Sequence, residues 1–132
     1  MSNLPERAET TLPRHLGMEI VESTKERVVL TMPVRPEVHQ PWGLLHGGAS
    51  VALAETAASM AAWNNCDQAR EMAVGIEINA NHLRAKRDGL LTATATPEHI
   101  GRRTQVWSVK IVDEEGKAIC VSRCTVAVVP NR

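Results

Sequence analysis

Apolar and polar side chains alternate over several short stretches of this chain, and the rhythm changes once. Val28, Leu30 and Met32 share one face of an extended segment while Arg27, Val29 and Thr31 share the other, the period-two pattern of a strand. Residues 18–23 and 26–34 are expected to form two strands around a turn at residues 23–25. Pro33 and Pro36 end the second strand and open a loop through His39, Gln40, Pro41, Trp42 and Gly43. From Gly47 to Asn65 the alternation stops; seven residues are alanine and none is proline, which predicts the one long helix. Four more extended stretches follow. Val74, Ile76, Ile78 and Ala80 alternate with Gly75, Glu77, Asn79 and Asn81, and a turn at Arg87, Asp88 and Gly89 leads to residues 90–96. Gln105, Trp107, Val109 and Ile111 share a face of residues 104–112, and a turn at residues 113–116 leads to residues 118–129. Residues 3–14 fit a short amphipathic helical turn or two, with Pro5 near the start and Pro13 near the end. The order β-β-α-β-β-β-β predicts an α+β fold with one long helix against an antiparallel sheet.

Composition narrows the functional classes. With 132 residues, 43% of them apolar, the chain is expected to form a single domain over residues 1–132 with a substantial core. Fifteen basic residues balance fifteen acidic ones, which argues against a domain that wraps nucleic acid. Residues 1–15 do not read as a signal peptide, and the alanine-rich run from Ala49 to Trp63 is too short and, at Glu55, too polar to span a bilayer. Cys66, Cys120 and Cys124 show no metal-ligand spacing. Cys120 and Cys124 on one strand would stand about 13 Å apart, beyond disulfide reach. That usage implies a reducing cytoplasm. With no Tyr and no Phe, a tyrosine acid is excluded.

Between Val38 and Cys66 the one formally charged side chain is Glu55. A carboxylate on a helix that is apolar on every face must be compensated or partly neutralised, and either outcome suits a catalytic base. Ser59 follows one turn later, placed to steady a water or to bond back to the helix. His46, Gly47 and Gly48 open the helix, where bare backbone N–H groups suit an oxyanion, although a tight turn with a histidine cap is the plainer reading. Gly47 and Glu55 lie about 12 Å apart along one helix. Two helices packed antiparallel about Val51 would place Gly47 of one chain beside Glu55 of the other, so a dimer with shared sites is expected. Arg84, Lys86 and Arg87 form one basic tract and Arg102 with Arg103 another. If they meet they make a phosphate pocket; otherwise they are solvated turn charges. No P-loop or dinucleotide glycine pattern is present.

The run Gln40, Pro41, Trp42, Gly43, Leu44, Leu45, His46, Gly47, Gly48, Ala49, Ser50, followed by Ala52, Leu53, Ala54 and Glu55, resembles the hotdog-fold acyl-CoA thioesterases of the PaaI-like group. Within it the likeness is to the 1,4-dihydroxy-2-naphthoyl-CoA hydrolases and the enterobactin-pathway proofreading thioesterase. The runs from Val74 to His82, from His99 to Arg102 and from Gln105 to Trp107 share the resemblance, which covers residues 15–129. It implies a sheet wrapped around a central helix, dimers that commonly pair into tetramers, and hydrolysis of an acyl-CoA without a metal or further cofactor. By the same resemblance Glu55 is the nucleophile or general base and Gly47 supplies the N–H that polarises the carbonyl. Gln40 and His46 lie near the carbonyl and leaving sulfur, and Ser59 orients water. Gly75, then His82, Leu83, Arg84 and Ala85, and His99, Ile100, Gly101, Arg102, Arg103 and Thr104 contact the CoA thioester. Trp42 stands where those relatives usually carry phenylalanine, at a position tied to the shape of the acyl pocket. Two rival readings are a hydratase or dehydratase acting on acyl thioesters and a non-catalytic acyl-CoA sensor.

Overall fold

The computed structural model describes residues 10–131. Its elements are α1 (Leu12–His15), β1 (Glu19–Ser23), β2 (Val28–Pro33), α2 (Gly47–Asn64), β3 (Glu71–His82), β4 (Leu90–Ile100), β5 (Thr104–Val112) and β6 (Ala118–Pro130), with a 3₁₀ turn at Pro36–Val38. The strands form one antiparallel sheet in the order β1-β2-β4-β5-β6-β3. The long helix carries the chain from β2 across the sheet to β3 on the opposite edge. The expected element order and helix are observed; residues 3–9, with Pro5, lie outside the described residues.

Small residues on the helix meet large ones on the sheet. Leu53, Ala54, Ala57, Ala58, Ala61 and Ala62 are fully buried. Against them pack Leu30, Met32, Trp107, Val109 and Ile111, the inward faces of β2 and β5 that the alternation predicts, together with Leu91 of β4. Gln105 is buried among them and satisfied: its Oε1 accepts from Trp107 Nε1 at 2.8 Å and its Nε2 donates to Ala62 O at 3.3 Å. A buried amide of this kind is costly unless paired, and here the pairing also ties the last turn of α2 to β5. Asn64 Nδ2 donates to Ser23 Oγ at 2.9 Å and Asn65 Nδ2 to Lys25 O at 2.8 Å, so the β1–β2 turn holds the same end.

Three local expectations are corrected. The alternation over β3 breaks at a bulge between Gly75 and Glu77. Ala73 on one side and Ile78 and Ala80 on the other pack on the core, while Val74 and Ile76 are exposed. A bulge adds one residue and reverses the parity of every side chain beyond it. β4 runs on through His99 and Ile100 by way of a second bulge between Pro97 and His99, at the proline that has no N–H for the ladder. Finally, α2 is not covered on every side: Val51, Ala52, Glu55, Thr56, Ser59 and Met60 are half-buried.

The start of α2 is held through Lys86. Leu45 N–H donates to Lys86 O at 2.7 Å and His46 N–H to Val38 O at 2.8 Å. The Lys86 ammonium lies 2.7 Å from Glu114 Oε2 and 3.4 Å from Asp113 Oδ2. The Glu114 carboxylate raises the Lys86 pKa above its ordinary value of 10.5. Lys117 and Glu115 backbone N–H groups, then Lys86, hold Asp113 below 3.8, while Lys86 foremost holds Glu114 below 4.5. Stability from the two acids is therefore present above their ordinary range and lost as pH falls through the lowered values; that from Lys86 is lost as pH rises through its raised value. Lys86→Met should lower Tm at pH 7, and thermal unfolding across pH should show the gap to wild type narrowing below pH 3.8. A gap that does not change with pH would assign the loss to packing.

Candidate active site

Glu55 sits midway along α2, half-buried, on the wall of a cavity of about 320 Å³. Met18, Ile20, Leu30 and Met60 make the cavity apolar, and Thr56 and Ser59 add the two hydroxyls. Thr56 Oγ1 is spent on a bond to Ala52 O at 2.6 Å; Ser59 faces the cavity with Glu55. Sequence reasoning missed the walls contributed by Met18, Ile20 and Met60; the spacing of two between Met18 and Ile20 on one extended segment is the signal that could have paired them.

Gly75 lies directly against the carboxylate. A Cβ at that position would overlap Glu55 Oε2, so the strand gives up a side chain to admit the acid. The β3 bulge makes this possible, because it leaves Gly75, which pairs with buried Val126, facing the helix. Cys124, fully buried on β6, has its thiol pushed up to about 11 by burial and then by the Glu55 and Glu77 carboxylates.

At the head of α2, His46 caps the helix: its Nδ1 accepts from Gly48 N–H at 2.8 Å. That bond places the proton of the neutral ring on Nε2, leaving an N–H donor on an exposed side chain. The Gly47 N–H has no acceptor among the described residues. The His82 ring stands beside Gly47, where a Cβ would come within 3.0 Å of His82 Nε2. Gln40 orders the preceding loop: its Oε1 accepts from Trp42 N–H at 2.5 Å and Leu44 N–H at 3.4 Å. Trp42 itself is 79% exposed.

The structure separates the two basic tracts, contrary to a single pocket within one chain. Lys86 and Arg87 lie against the loop before α2, and Lys86 is occupied by Asp113 and Glu114. Arg102 and Arg103 line a cleft with Arg70 and the end of β6, on the side where Gln105 meets Ala62. The eighteen residues of α2, about 27 Å of helix, lie between the two ends. Of the residues expected at the site, Glu55, Ser59 and Gly75 come together, Gly47, His46 and His82 form a second group, and residues 99–104 a third. No three His, Cys, Asp or Glu side chains converge as a metal cluster among the described residues, and no described helix is long and apolar enough to cross a membrane.

A six-stranded antiparallel sheet curled on one long helix, with a carboxylate on the helix flank and a glycine at its head, is the hotdog arrangement. The chain belongs to the thioesterase superfamily, which residues 43–120 match, and it is a thioester hydrolase. It is 51% identical over 121 residues to the 1,4-dihydroxy-2-naphthoyl-CoA hydrolase of Listeria monocytogenes, covering 92% of this chain and 98% of that one. A mutant of the thioesterase PA1618 from Pseudomonas aeruginosa superposes with a TM-score of 0.90 at 43% identity over 93% of this chain and 88% of its own. A hypothetical thioesterase solved with coenzyme A, from Streptococcus pneumoniae, gives 0.79 at 28% identity over 87% of this chain and 90% of its own.

The surroundings of Cys124 lead to a direct test. At pH 8 iodoacetamide should leave Cys124 unmodified in the folded protein and alkylate it after denaturation, read by peptide mass spectrometry. Labelling in the native state at the rate of a free thiol would overturn the burial of Cys124.

Proposed function

We propose that this enzyme hydrolyses an acyl-CoA thioester to the free acid and CoA, with Glu55 as nucleophile or general base. The observation that carries the reading is a carboxylate on the wall of an apolar cavity, fitted against a strand glycine. In the base route Glu55 takes a proton from water as the water oxygen attacks the carbonyl carbon. In the nucleophilic route the carboxylate attacks, and the anhydride so formed is opened by water. In the base route the C–S bond breaks as the water adduct collapses; in the nucleophilic route it breaks earlier, as the anhydride forms. In both the electron pair leaves on the CoA thiolate. The unpaired Gly47 N–H at the helix N-terminus receives the developing oxyanion. His46 Nε2–H and the Gln40 amide lie near the carbonyl and sulfur, and Ser59 orients the water. No cofactor beyond the CoA of the substrate enters either route.

Because Gly47 and Glu55 are about 12 Å apart in one chain, the complete site is shared across a homodimer. The half-buried flank of α2 and the exposed Met72, Val74 and Ile76 on the outer strand β3 support that pairing, and the dimers pair again into a tetramer in the manner of the family. The cavity walls of Met18, Ile20, Leu30 and Met60 suit an aryl or medium-chain acyl group, and the named substrate of the Listeria relative is aryl. Three free thiols fit a cytoplasmic protein.

Thiol release from benzoyl-CoA and octanoyl-CoA, followed with a thiol-reactive dye, tests the reading. Glu55→Ala should lose about a hundredfold or more in kcat; near-normal turnover would end the proposal. Gly75→Ala should act on the same step by displacing the carboxylate, with little change in Tm because a flexible side chain gives way.

Sharing of the site has its own test. Gly47→Pro removes the N–H at the first helical position, where proline is accepted, and His46 already has an extended backbone (φ −73°, ψ 129°) compatible with it. Co-refolding inactive Glu55→Ala and Gly47→Pro chains should restore about a quarter of wild-type activity, since random pairing gives half mixed dimers with one intact site each. No recovery would place both groups in one chain's site.

A further inference from the structure

One side of the cavity beside Glu55 is α2 itself, with Thr56, Ser59 and Met60; another is the chain from Pro13 to Ile20. That second wall begins in α1, where none of the residues Leu12–His15 is buried and Leu12 is 57% exposed. A single turn does not hold itself together in water, so its place at the cavity depends on its cap and its neighbours. Leu16 N–H donates to Leu12 O at 3.0 Å, Gly17 N–H to Arg14 O at 3.0 Å and Met18 N–H to Pro13 O at 2.9 Å. Gly17, at φ +78°, supplies the left-handed residue that such an ending requires. Endings of this form bring the residues that close them into apolar contact. Here those residues are Pro13 and Met18, both on the cavity wall.

The remaining carbonyl of the turn, His15 O, is taken by Arg35. This residue lies between β2 and the 3₁₀ turn at Pro36–Val38, and its Nη2 donates to His15 O at 3.3 Å. The same guanidinium packs on the bare face of Gly17, where a Cβ would lie 2.9 Å from Nη2 and 3.1 Å from Pro33 Cγ. Arg35 Nε is 3.4 Å from Glu37 Oε1 without a hydrogen bond, both side chains exposed, a pairing of little strength. The cation is therefore directed at the turn, where positive charge at the carbonyl end is favourable. An apolar cavity of about 320 Å³ selects among acyl chains by how well each fills it. A wall free to swing away would lose contacts to a chain that fits and admit one that does not.

We infer that Arg35 is a positioning residue for acyl selection: it fixes the turn that carries Pro13 and Met18, and so sets the length of chain the cavity accepts. This rests on the acyl-CoA reading and is tested apart from it. S-octyl-CoA and S-dodecyl-CoA, thioethers that cannot be hydrolysed, are titrated calorimetrically into the wild type, Arg35→Ala and Arg35→Lys. The wild type should prefer the octyl chain, and in Arg35→Ala that preference should fall about tenfold as apolar contacts are lost. Arg35→Lys should keep most of it, because an ammonium on a long stem still donates to His15 O. Hydrogen exchange read by mass spectrometry should quicken over residues 12–18 in Arg35→Ala and stay unchanged over residues 49–62. The Arg35 side chain is 41% exposed, so circular dichroism should show both variants folded. An unchanged preference, equal weakening of both thioethers, no preference in the wild type, unchanged exchange over residues 12–18, or a loss as large in Arg35→Lys would each overturn the assignment. Thiol release from octanoyl-CoA by the wild type reports on the other reading. Its absence alongside an Arg35-dependent preference would remove hydrolysis and leave the role of Arg35 standing; its presence with an unchanged preference would do the reverse.

Discussion

Because Ala54, Ala57, Ala58 and Ala61 project little from α2, the helix lies close to the sheet, and the remainder of the architecture follows from that contact. The sheet supplies the missing volume through Trp107, Leu30, Met32, Leu91 and Ile111. Close packing leaves few voids, so a long side chain on the helix flank has to find room beside the sheet rather than within it. Glu55 does so at the outer strand, where Gly75 has no Cβ to obstruct it and where the helix is not covered by its own chain. The same approach that closes the core thus sets an acid at the margin of an apolar cavity.

The ends of the helix carry different chemistry, and each is fixed by a different partner. At the head, the Lys86 backbone and Val38 hold the loop, while His46 caps Gly48 and leaves the Gly47 N–H unused. At the tail three carbonyls are taken: Ala61 O accepts from Asn65 Nδ2, Ala62 O from Gln105 Nε2, Asn65 N–H and Cys66 Sγ, and Trp63 O from Cys66 N–H and Gln68 Nε2. Donors are open at one end and acceptors are closed at the other, which favours negative charge at the head and rigidity at the tail. Lys86 shows why counting local charge misleads, since one of the three cations in its tract serves Asp113 and Glu114 instead.

Much of the fold was legible because its signals are local. Alternation in β2 and β5 named the buried faces, and the alanine run marked the helix. Glu55 stood out as a lone charge, and the glycines after His46 stood out as a helix start with uncovered donors. The bulge at Gly75 and Glu77 was not legible, since parity along β3 reads as unbroken until β6 is laid beside it. Nor could the residues show that Met18 and Ile20 would wall the cavity, or that Arg70 would join Arg102 and Arg103.

Periodicity, capping and lone charges are properties of a few neighbouring residues, and so the order of elements, the helix and its acid are written in the chain itself. Register, bulge parity and the meeting of distant loops depend on which strands pair and on where α2 crosses them. Those were decided in three dimensions: Gly75 turned toward Glu55 because β6 set its face, the two basic tracts parted because a helix of about 27 Å separates them, and Arg70 met Arg103 because one strand end holds both backbones.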